Sequence, residues 1–153
     1  MTRLHFIYAF LLLISCSCRV DEGPRQEASG SMEPSIKKGE FIFLTPLDKP
    51  PSRWDVVSFE SPVNGNMWVQ RVVGLPGEVI DIHDSSVYIN GVRQTAPSKM
   101  KGIWYSKEGK VTFPFTIPKN SFFVLGDNTT DAQDSRYIGS IPAKSIVSKV
   151  ENK

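Results

Sequence analysis

The chain has little cysteine and little histidine. Cys16 and Cys18 are its two cysteines, both near the start of the 153 residues, so no disulfide can connect distant parts of the chain. The folded part must therefore be held by packing alone. The two histidines are His5 and His83, and no group of His, Cys, Asp and Glu has the spacing of a metal site. We therefore expect no disulfide framework, no metal and no cofactor.

The chain also lacks a strong excess of either charge. Its 18 Lys and Arg residues nearly balance 16 Asp and Glu residues, for a formal net charge of +2. Proteins that bind nucleic acids usually carry a marked basic patch, and this balance gives no reason to expect a nucleic-acid partner. The 11 glycines and 11 prolines are spread along the chain, which predicts many short elements joined by turns. The length fits one domain.

The apolar run near the start is too short to cross a bilayer as a helix. Residues 4–14 form a run of roughly eleven apolar residues, against about 20 in a membrane-spanning helix. The run follows Arg3 and matches the apolar region of a secretory signal, and Leu13-Ile14-Ser15-Cys16 resembles a bacterial lipobox. An ordinary signal peptide, or a short membrane anchor with incidental cysteines, remains the alternative.

The lipobox resemblance implies a division of the chain and a location. We expect a signal segment over residues 1–15, a lipidated Cys16 followed by a polar linker through residue 27, and a folded domain over residues 28–153. The protein is then exported to the bacterial cell envelope, where it faces the periplasm or the exterior. Its membrane contact is the lipid on Cys16.

The remainder of the chain has a mainly β pattern. Seven short runs of β-branched or aromatic residues are bounded by turn residues, at 40–45, 56–59, 67–73, 79–82, 87–89, 111–113 and 121–125. Such runs predict a sandwich-like or barrel-like fold of short antiparallel strands. Asp84-Ser85-Ser86 fits a hairpin turn. A short helix near residues 143–145, with Pro142 at its start, is the one helix that the pattern favours.

Three segments carry the candidate chemistry. In chain order they are Ser29-Gly30-Ser31-Met32-Glu33-Pro34, then Gln70-Arg71-Val72-Val73-Gly74-Leu75-Pro76-Gly77, then Gly126-Asp127-Asn128 through to Asp134-Ser135-Arg136. Together they resemble the type I signal peptidases, which are membrane-associated serine peptidases with a Ser/Lys dyad. The resemblance covers about residues 29–150. It implies the β fold of that family and, as partners, extended segments of exported proteins that are cleaved after small side chains.

The first segment holds the nucleophile that the resemblance implies. Ser31 takes that role, and the Ser31 amide with the Ser29 hydroxyl takes the role of the oxyanion hole. A serine hydroxyl is a poor nucleophile without a neighbouring base and donors to the oxyanion. Gly30 allows the backbone to come close to a substrate. Without the other two segments, the same residues would be read as a flexible lead-in to the first strand.

The residue at the position of the family's general base differs from the family pattern. In the family a lysine directly precedes the Arg-x-x-Gly-Leu-Pro-Gly segment, and here that residue is Gln70. A buried lysine becomes a neutral amine that can take the serine proton. The Gln70 amide has no useful basicity, and Arg71 is always protonated. The serine that orients the lysine in the family is replaced by Ala132. We therefore expect weak or atypical activity.

The register of the three segments predicts a geometry. Ser29, Ser31, Gln70 and Ala132 should converge in one cleft, with the Gln70 side chain directed at the Ser31 hydroxyl. Arg71 should point to the opposite side of its strand, because neighbouring residues of a strand face opposite ways.

Charged residues of the second and third segments are expected to brace the site. The resemblance implies this role for Asp127, Asp134 and Arg136, and we expect Arg71 to pair with one of the two carboxylates. The alternative is a set of exposed surface pairs, which contribute little to stability.

Other bases and another function stay open at this stage. His83 lies in the predicted hairpin, and the polar loop over residues 99–110 has four lysines that could reach in: Lys99, Lys101, Lys107 and Lys110. Two functional classes remain. One is a serine endopeptidase with an unusual or weak base, and the other is a binding module of the same fold that holds exported peptides without cutting them.

Overall fold

The computed structural model describes residues 24–100 and 102–151. These residues form eleven strands, one short α-helix and two 3-10 helices. The strands are β1 Pro24–Gln26, β2 Phe41–Pro46, β3 Val56–Glu60, β4 Met67–Gly74, β5 Val79–His83, β6 Ser86–Ile89, β7 Val92–Arg93, β8 Phe115–Thr116, β9 Ser121–Leu125, β10 Ile141–Pro142 and β11 Ile146–Glu151. The α-helix, α1, is Ser135–Ile138, and the 3-10 helices are Ser98–Met100 and Ala143–Ser145.

The strands form two antiparallel sheets. The larger has seven strands in the order β1-β2-β11-β3-β4-β9-β10, and the smaller has four in the order β7-β6-β5-β8. Antiparallel neighbours can be joined by tight turns, as at Asp84 and Ser85, whose positive φ values of 48° and 57° turn β5 into β6. The predicted mainly β fold is confirmed. Across residues 24–100 and 102–151, no helix has both the length and the apolar character that a membrane crossing requires.

Six of the seven predicted runs contain strands, and the run at 111–113 does not. The backbone N–H groups of Lys110 and Val111 both donate to the carbonyl oxygen of Arg136, so this segment is tied to α1. Pro114 then follows, and the strand begins only at Phe115. The helix predicted near residues 143–145 is a single 3-10 turn.

A strand lies before residue 28, the predicted start of the folded domain. Residues 24–27 were expected to belong to an exposed linker, but β1 pairs with Phe41–Phe43 of β2. The Glu27 backbone N–H then donates to the carbonyl oxygen of Glu40 at 2.8 Å. Residues 24–27 are therefore attached to the large sheet by backbone hydrogen bonds, although the segment has no apolar pattern of its own. The predicted signal segment, with Cys16, lies outside the described residues.

A small apolar cluster positions the segment that contains Ser31. Met32 and Ile36 are fully buried and pack with Ile42, Leu44 and Val150. Burying a side chain of this size contributes about 1.5 to 3 kcal/mol. The residue directly after Ser31 is thus held in the core, which fixes the backbone of Ser31 at the surface of the large sheet.

Candidate active site

A groove of about 540 Å³ along the large sheet is lined by three of the four residues that were predicted to converge. Ser29, Ser31 and Gln70 all line it. The other lining residues include apolar side chains of β2 and β4 and polar side chains of the loop after β9, among them Ile42, Leu44, Trp68, Val69, Asp131 and Gln133. An extended peptide of mixed polarity could therefore lie along this surface.

The two serines are joined by hydrogen bonds that continue to a carboxylate. The Oγ atoms of Ser29 and Ser31 are 2.9 Å apart. Ser29 Oγ donates to Glu27 Oε1 at 2.7 Å, and the Ser29 backbone N–H donates to the same oxygen at 3.0 Å. The Ser31 N–H makes a long contact of 3.4 Å to Ser29 Oγ. Ser31 is thus connected to Glu27 through one intervening hydroxyl.

Gln70 lies on the expected side of β4 but has a different partner. The side chain is buried, and its Nε2 donates to the carbonyl oxygen of Gln133 at 2.8 Å rather than to Ser31. Its Oε1 is buried and has no hydrogen-bond partner among the described residues. An unpaired buried acceptor costs about 1 to 3 kcal/mol. The site therefore suits a side chain with donors and no acceptor better than it suits an amide.

The third segment packs directly against the first. The Asn128 backbone N–H donates to the Ser31 carbonyl oxygen at 2.9 Å, and Asn128 Nδ2 donates to the Gly30 carbonyl oxygen at 3.1 Å. A Cβ at Gly126 would lie 2.3 Å from the Ala132 Cβ and 2.7 Å from the Ser31 oxygen. Contacts this close are not tolerated, so only glycine fits there. Ala132 is buried near the nucleophile segment. It is not among the residues that line the groove, so its predicted place in the cleft stays a prediction.

Arg71 faces away from Gln70 and forms the expected ion pair with Asp127. Arg71 Nε donates to Asp127 Oδ1 at 2.8 Å, and Arg71 Nη2 donates to Asp127 Oδ2. Tyr105 donates its hydroxyl to Asp127 Oδ1 at 3.3 Å. Burial alone would lower the pKa of Arg71, but the hydrogen bond and the charge of Asp127 outweigh it and raise that pKa. Burial, helped by the Asp127 charge, raises the pKa of Tyr105, which keeps this hydroxyl a donor.

Asp134 and Arg136 form a second buried pair. Asp134 is 0% exposed and Arg136 is 1% exposed. Asp134 Oδ1 accepts from Arg136 Nε at 2.8 Å, while Oδ2 accepts from Arg136 Nη2 at 2.8 Å and from the Gly126 N–H at 3.0 Å. The carboxylate therefore ties the end of β9 to α1. Neither pair is exposed, so the alternative of solvated surface charges is wrong.

Three of the other bases considered from the sequence, His83, Lys107 and Lys110, do not line the groove. Lys101 and the side chain of Lys99 lie outside the described residues. His83 has a half-exposed side chain, bonds to Asp84 and stacks on Tyr88 with ring centroids 3.7 Å apart. No histidine or lysine lines the groove within the part of the chain that the structure describes. Residues 24–100 and 102–151 also contain no group of His, Cys, Asp and Glu that could hold a metal.

Glu27 is the residue of the groove that sequence reasoning missed. It stands two positions before Ser29, in the part assigned to the linker, and it is 7% exposed. The sequence feature that could have identified Glu27 is its position close to a candidate nucleophile. The pairing of β1 with β2, which buries it, has no local signature in the sequence.

Nearly the whole chain matches one protein family. Residues 1–152 match the family described as signal peptidase, peptidase S26. The chain belongs to this family. The resemblance inferred from the three segments is therefore confirmed at the level of the family.

Individual signal peptidases are similar over most of the chain. Signal peptidase I V of Bacillus subtilis (strain 168) is 32% identical over 136 residues, which are 80% of this chain and 79% of that protein. Signal peptidase I of Bacillus caldolyticus is 30% identical over 133 residues, 79% of this chain and 72% of that protein. The crystal structure of a signal peptidase I from Enterococcus faecalis V583 superposes with a TM-score of 0.58 at 33% identity, covering 67% of this chain and 98% of that one.

Proposed function

We propose that this signal peptidase family member is a serine endopeptidase that cleaves exported precursor proteins after small side chains, and that it does so slowly. The observation that carries the proposal is the groove in which Ser31, Ser29 and Gln70 meet. Ser31 supplies the nucleophile. Gln70 occupies the position of the lysine in the family's Ser/Lys dyad, and Ala132 occupies that of the serine that orients it. The slow rate follows from these two replacements.

The groove supports binding of an extended peptide. Its apolar residues on β2 and β4 offer a surface for alternate side chains, and an extended segment can pair with a strand edge. The Ser31 amide and the Ser29 hydroxyl would then donate to the oxyanion that forms when Ser31 attacks, which requires both groups to leave the partners that they have in the free groove. General-base catalysis typically contributes about 10² to 10⁴-fold, whereas oxyanion donors and positioning continue to act without the base.

The two buried ion pairs are not among the residues that line the groove. Arg71 with Asp127, and Asp134 with Arg136, hold the loop after β9 against the nucleophile segment. We propose that they brace the backbone of the groove and take no part in proton transfer. The folded unit that carries the function then covers residues 24–153, which extends the domain proposed from the sequence by four residues.

Cleavage of a signal-peptide-like peptide tests this function. Native protein at high concentration should release, over hours, two products whose masses identify cleavage after a small residue. Ser31→Ala should release none, because the nucleophile is gone. Equal cleavage by Ser31→Ala would overturn the assignment of the nucleophile.

A binding module remains the second candidate, and the replacements at Gln70 and Ala132 favour it. In that case the native protein binds the peptide but no product forms. A titration of the labelled peptide by fluorescence anisotropy, run beside the cleavage assay, separates the two functions.

We also propose that the protein is a lipoprotein of the cell envelope. Lipid on Cys16 would hold the groove near the membrane where exported precursors emerge. One acyl chain alone binds membranes only marginally, so firm anchoring requires several chains on that cysteine. Mass spectrometry of the mature protein should find lipid on Cys16, and Cys16→Ala should abolish it while Cys18→Ala leaves it in place. An unmodified mature N-terminus at another residue would contradict the proposal.

A further inference from the structure

We propose that Glu27 accepts the proton of Ser31 through the hydroxyl of Ser29, and so takes over the task of the missing lysine. This inference rests on the proposed peptidase function and names the group that activates its nucleophile. The hydrogen bonds described for the Glu27 carboxylate go to Ser29 rather than to Ser31. Glu27 acts through Ser29, which both positions Ser31 and passes the proton on.

The direction of the hydrogen bonds supports this relay. Ser29 Oγ donates to Glu27 Oε1 at 2.7 Å. A hydroxyl has one proton to donate, and that of Ser29 is used by Glu27. In the 2.9 Å contact between the two hydroxyls, Ser31 must therefore be the donor. The proton of Ser31 already points along the path to the carboxylate.

Hydrogen bonds hold both the backbone and the carboxylate of Glu27 in place. Its backbone N–H donates to the Glu40 carbonyl oxygen at 2.8 Å, and its carbonyl oxygen accepts from the Gly39 N–H at 2.7 Å. The carboxylate oxygen that accepts from the Ser29 hydroxyl also accepts from the Ser29 N–H at 3.0 Å. With 7% exposure, the side chain is largely shielded from water.

No other described group competes for the role. Asp131 also lines the groove, but the hydroxyl bonds of Ser29 and Ser31 go to each other and to Glu27. Gln70 is an amide that donates to Gln133. Among the described residues of the groove, Glu27 is the carboxylate connected to the nucleophile.

The proton movements balance. As Ser31 Oγ attacks the peptide carbonyl carbon, its O–H bond breaks and the proton passes to Ser29 Oγ, while the original proton of Ser29 passes to Glu27 Oε1. The electron pair left on Ser31 forms the new C–O bond, and the carbonyl π pair moves onto the oxygen. Ser29 now holds the proton received from Ser31 and can donate it to the oxyanion as a hydrogen bond. When the C–N bond breaks, the proton on Glu27 returns through Ser29 to the leaving amine. A water molecule then attacks the acyl carbon and gives a proton through Ser29 to Glu27, and that proton returns through Ser29 to Ser31 Oγ as the acyl C–O bond breaks.

Glu27→Gln is the matched variant, because glutamine keeps the shape and an accepting oxygen but cannot take a proton. We would measure the release of nitrophenolate from a p-nitrophenyl ester of a peptide ending in alanine, which reports acylation of Ser31, after subtraction of the Ser31→Ala rate. The acylation rate should fall by about 10²-fold, the lower end of a general-base contribution, with KM unchanged. In a Gln70→Lys background, where the lysine serves as base, the same substitution should change the rate by less than about threefold.

The effect of Glu27→Gln in the native protein and in the Gln70→Lys variant shows whether Glu27 accepts the proton. No loss in Glu27→Gln, or an equal loss with and without Gln70→Lys, would overturn the relay, since an equal loss means that Glu27 only holds the loop. An unreactive native protein beside a reactive Gln70→Lys variant would overturn the relay and leave the peptidase site standing. If neither reacts, the proposed function itself fails and the relay with it.

A measurement on the native protein covers the case in which Glu27→Gln does not fold. Two protons move together in the relay, so the acylation rate in mixtures of light and heavy water should depend on the deuterium fraction along a curve. A straight line would show that one proton moves, and would overturn the transfer to Glu27.

Discussion

Replacing Gln70 by lysine is expected to raise the rate of peptide cleavage by about 10²-fold or more, within the range of a general base. The position is 2% exposed, and burial lowers the pKa of a lysine, which leaves a neutral amine that can accept a proton. The new Nζ can donate to the Gln133 carbonyl oxygen in place of Gln70 Nε2. The substitution also removes the unpaired Oε1 of Gln70, so the variant is expected to fold.

Adding Ala132→Ser to this variant should increase the rate further, because a hydroxyl beside the amine can orient it toward Ser31. Steady-state cleavage of a signal-peptide-like peptide is the measurement. Ser31→Ala in the same background should remove the gain. Gln94→Lys makes the same substitution outside the groove and should leave the rate at the native value.

A fast native enzyme that Gln70→Lys leaves unchanged or impairs would contradict the interpretation of position 70. A double variant that folds and binds peptide but never cleaves it would favour the binding module, because the groove would then have diverged in more than its base.

Asp134→Ala is expected to lower the free energy of unfolding by about 3 to 5 kcal/mol, the usual cost of leaving one partner of a buried ion pair alone. The substitution leaves the buried guanidinium of Arg136 without its carboxylate partner and removes the acceptor of the Gly126 N–H. Domains of this size have about 5 to 15 kcal/mol in total, so the loss is a large fraction of it. Urea unfolding followed by tryptophan fluorescence measures the change.

An exposed acidic residue provides the control for this substitution. Asp48 is exposed and lies outside the strands. Asp48→Ala should therefore shift the unfolding free energy by no more than about 0.5 kcal/mol. A loss below about 1 kcal/mol for Asp134→Ala would show that the pair is not the brace that its burial indicates.

The strands that could be predicted are those whose residues favour a strand by themselves. β4 is an example, because Met67-Trp68-Val69-Gln70-Arg71-Val72-Val73 is rich in β-branched and aromatic residues. β1 has the sequence Pro-Arg-Gln and is exposed at all three positions. It forms because its backbone pairs with β2. A local residue pattern does not predict pairing with a segment that is distant in the sequence.

Some features of the candidate site could likewise be predicted from the sequence, and others could not. The face of Gln70 follows from strand alternation, and the structure places it beside Ser31 in the groove. Its actual partner, the Gln133 carbonyl oxygen, depends on how the loop after β9 folds back. Buried charges are also hard to foresee, because a charged residue is normally expected in solvent. Arg71 and Asp127 are 56 residues apart in sequence, and only the tertiary structure makes them one buried pair.

If Ser31 is a working nucleophile in a groove without its usual base, it should form an acyl-enzyme. Intact and peptide-level mass spectrometry of the native protein, after incubation with the p-nitrophenyl ester of a peptide ending in alanine, would detect it. We expect one acyl adduct, formed slowly and located on Ser31, that is absent from Ser31→Ala. An adduct that persists in Ser31→Ala, or a native protein that binds the peptide and never acquires one, would contradict it.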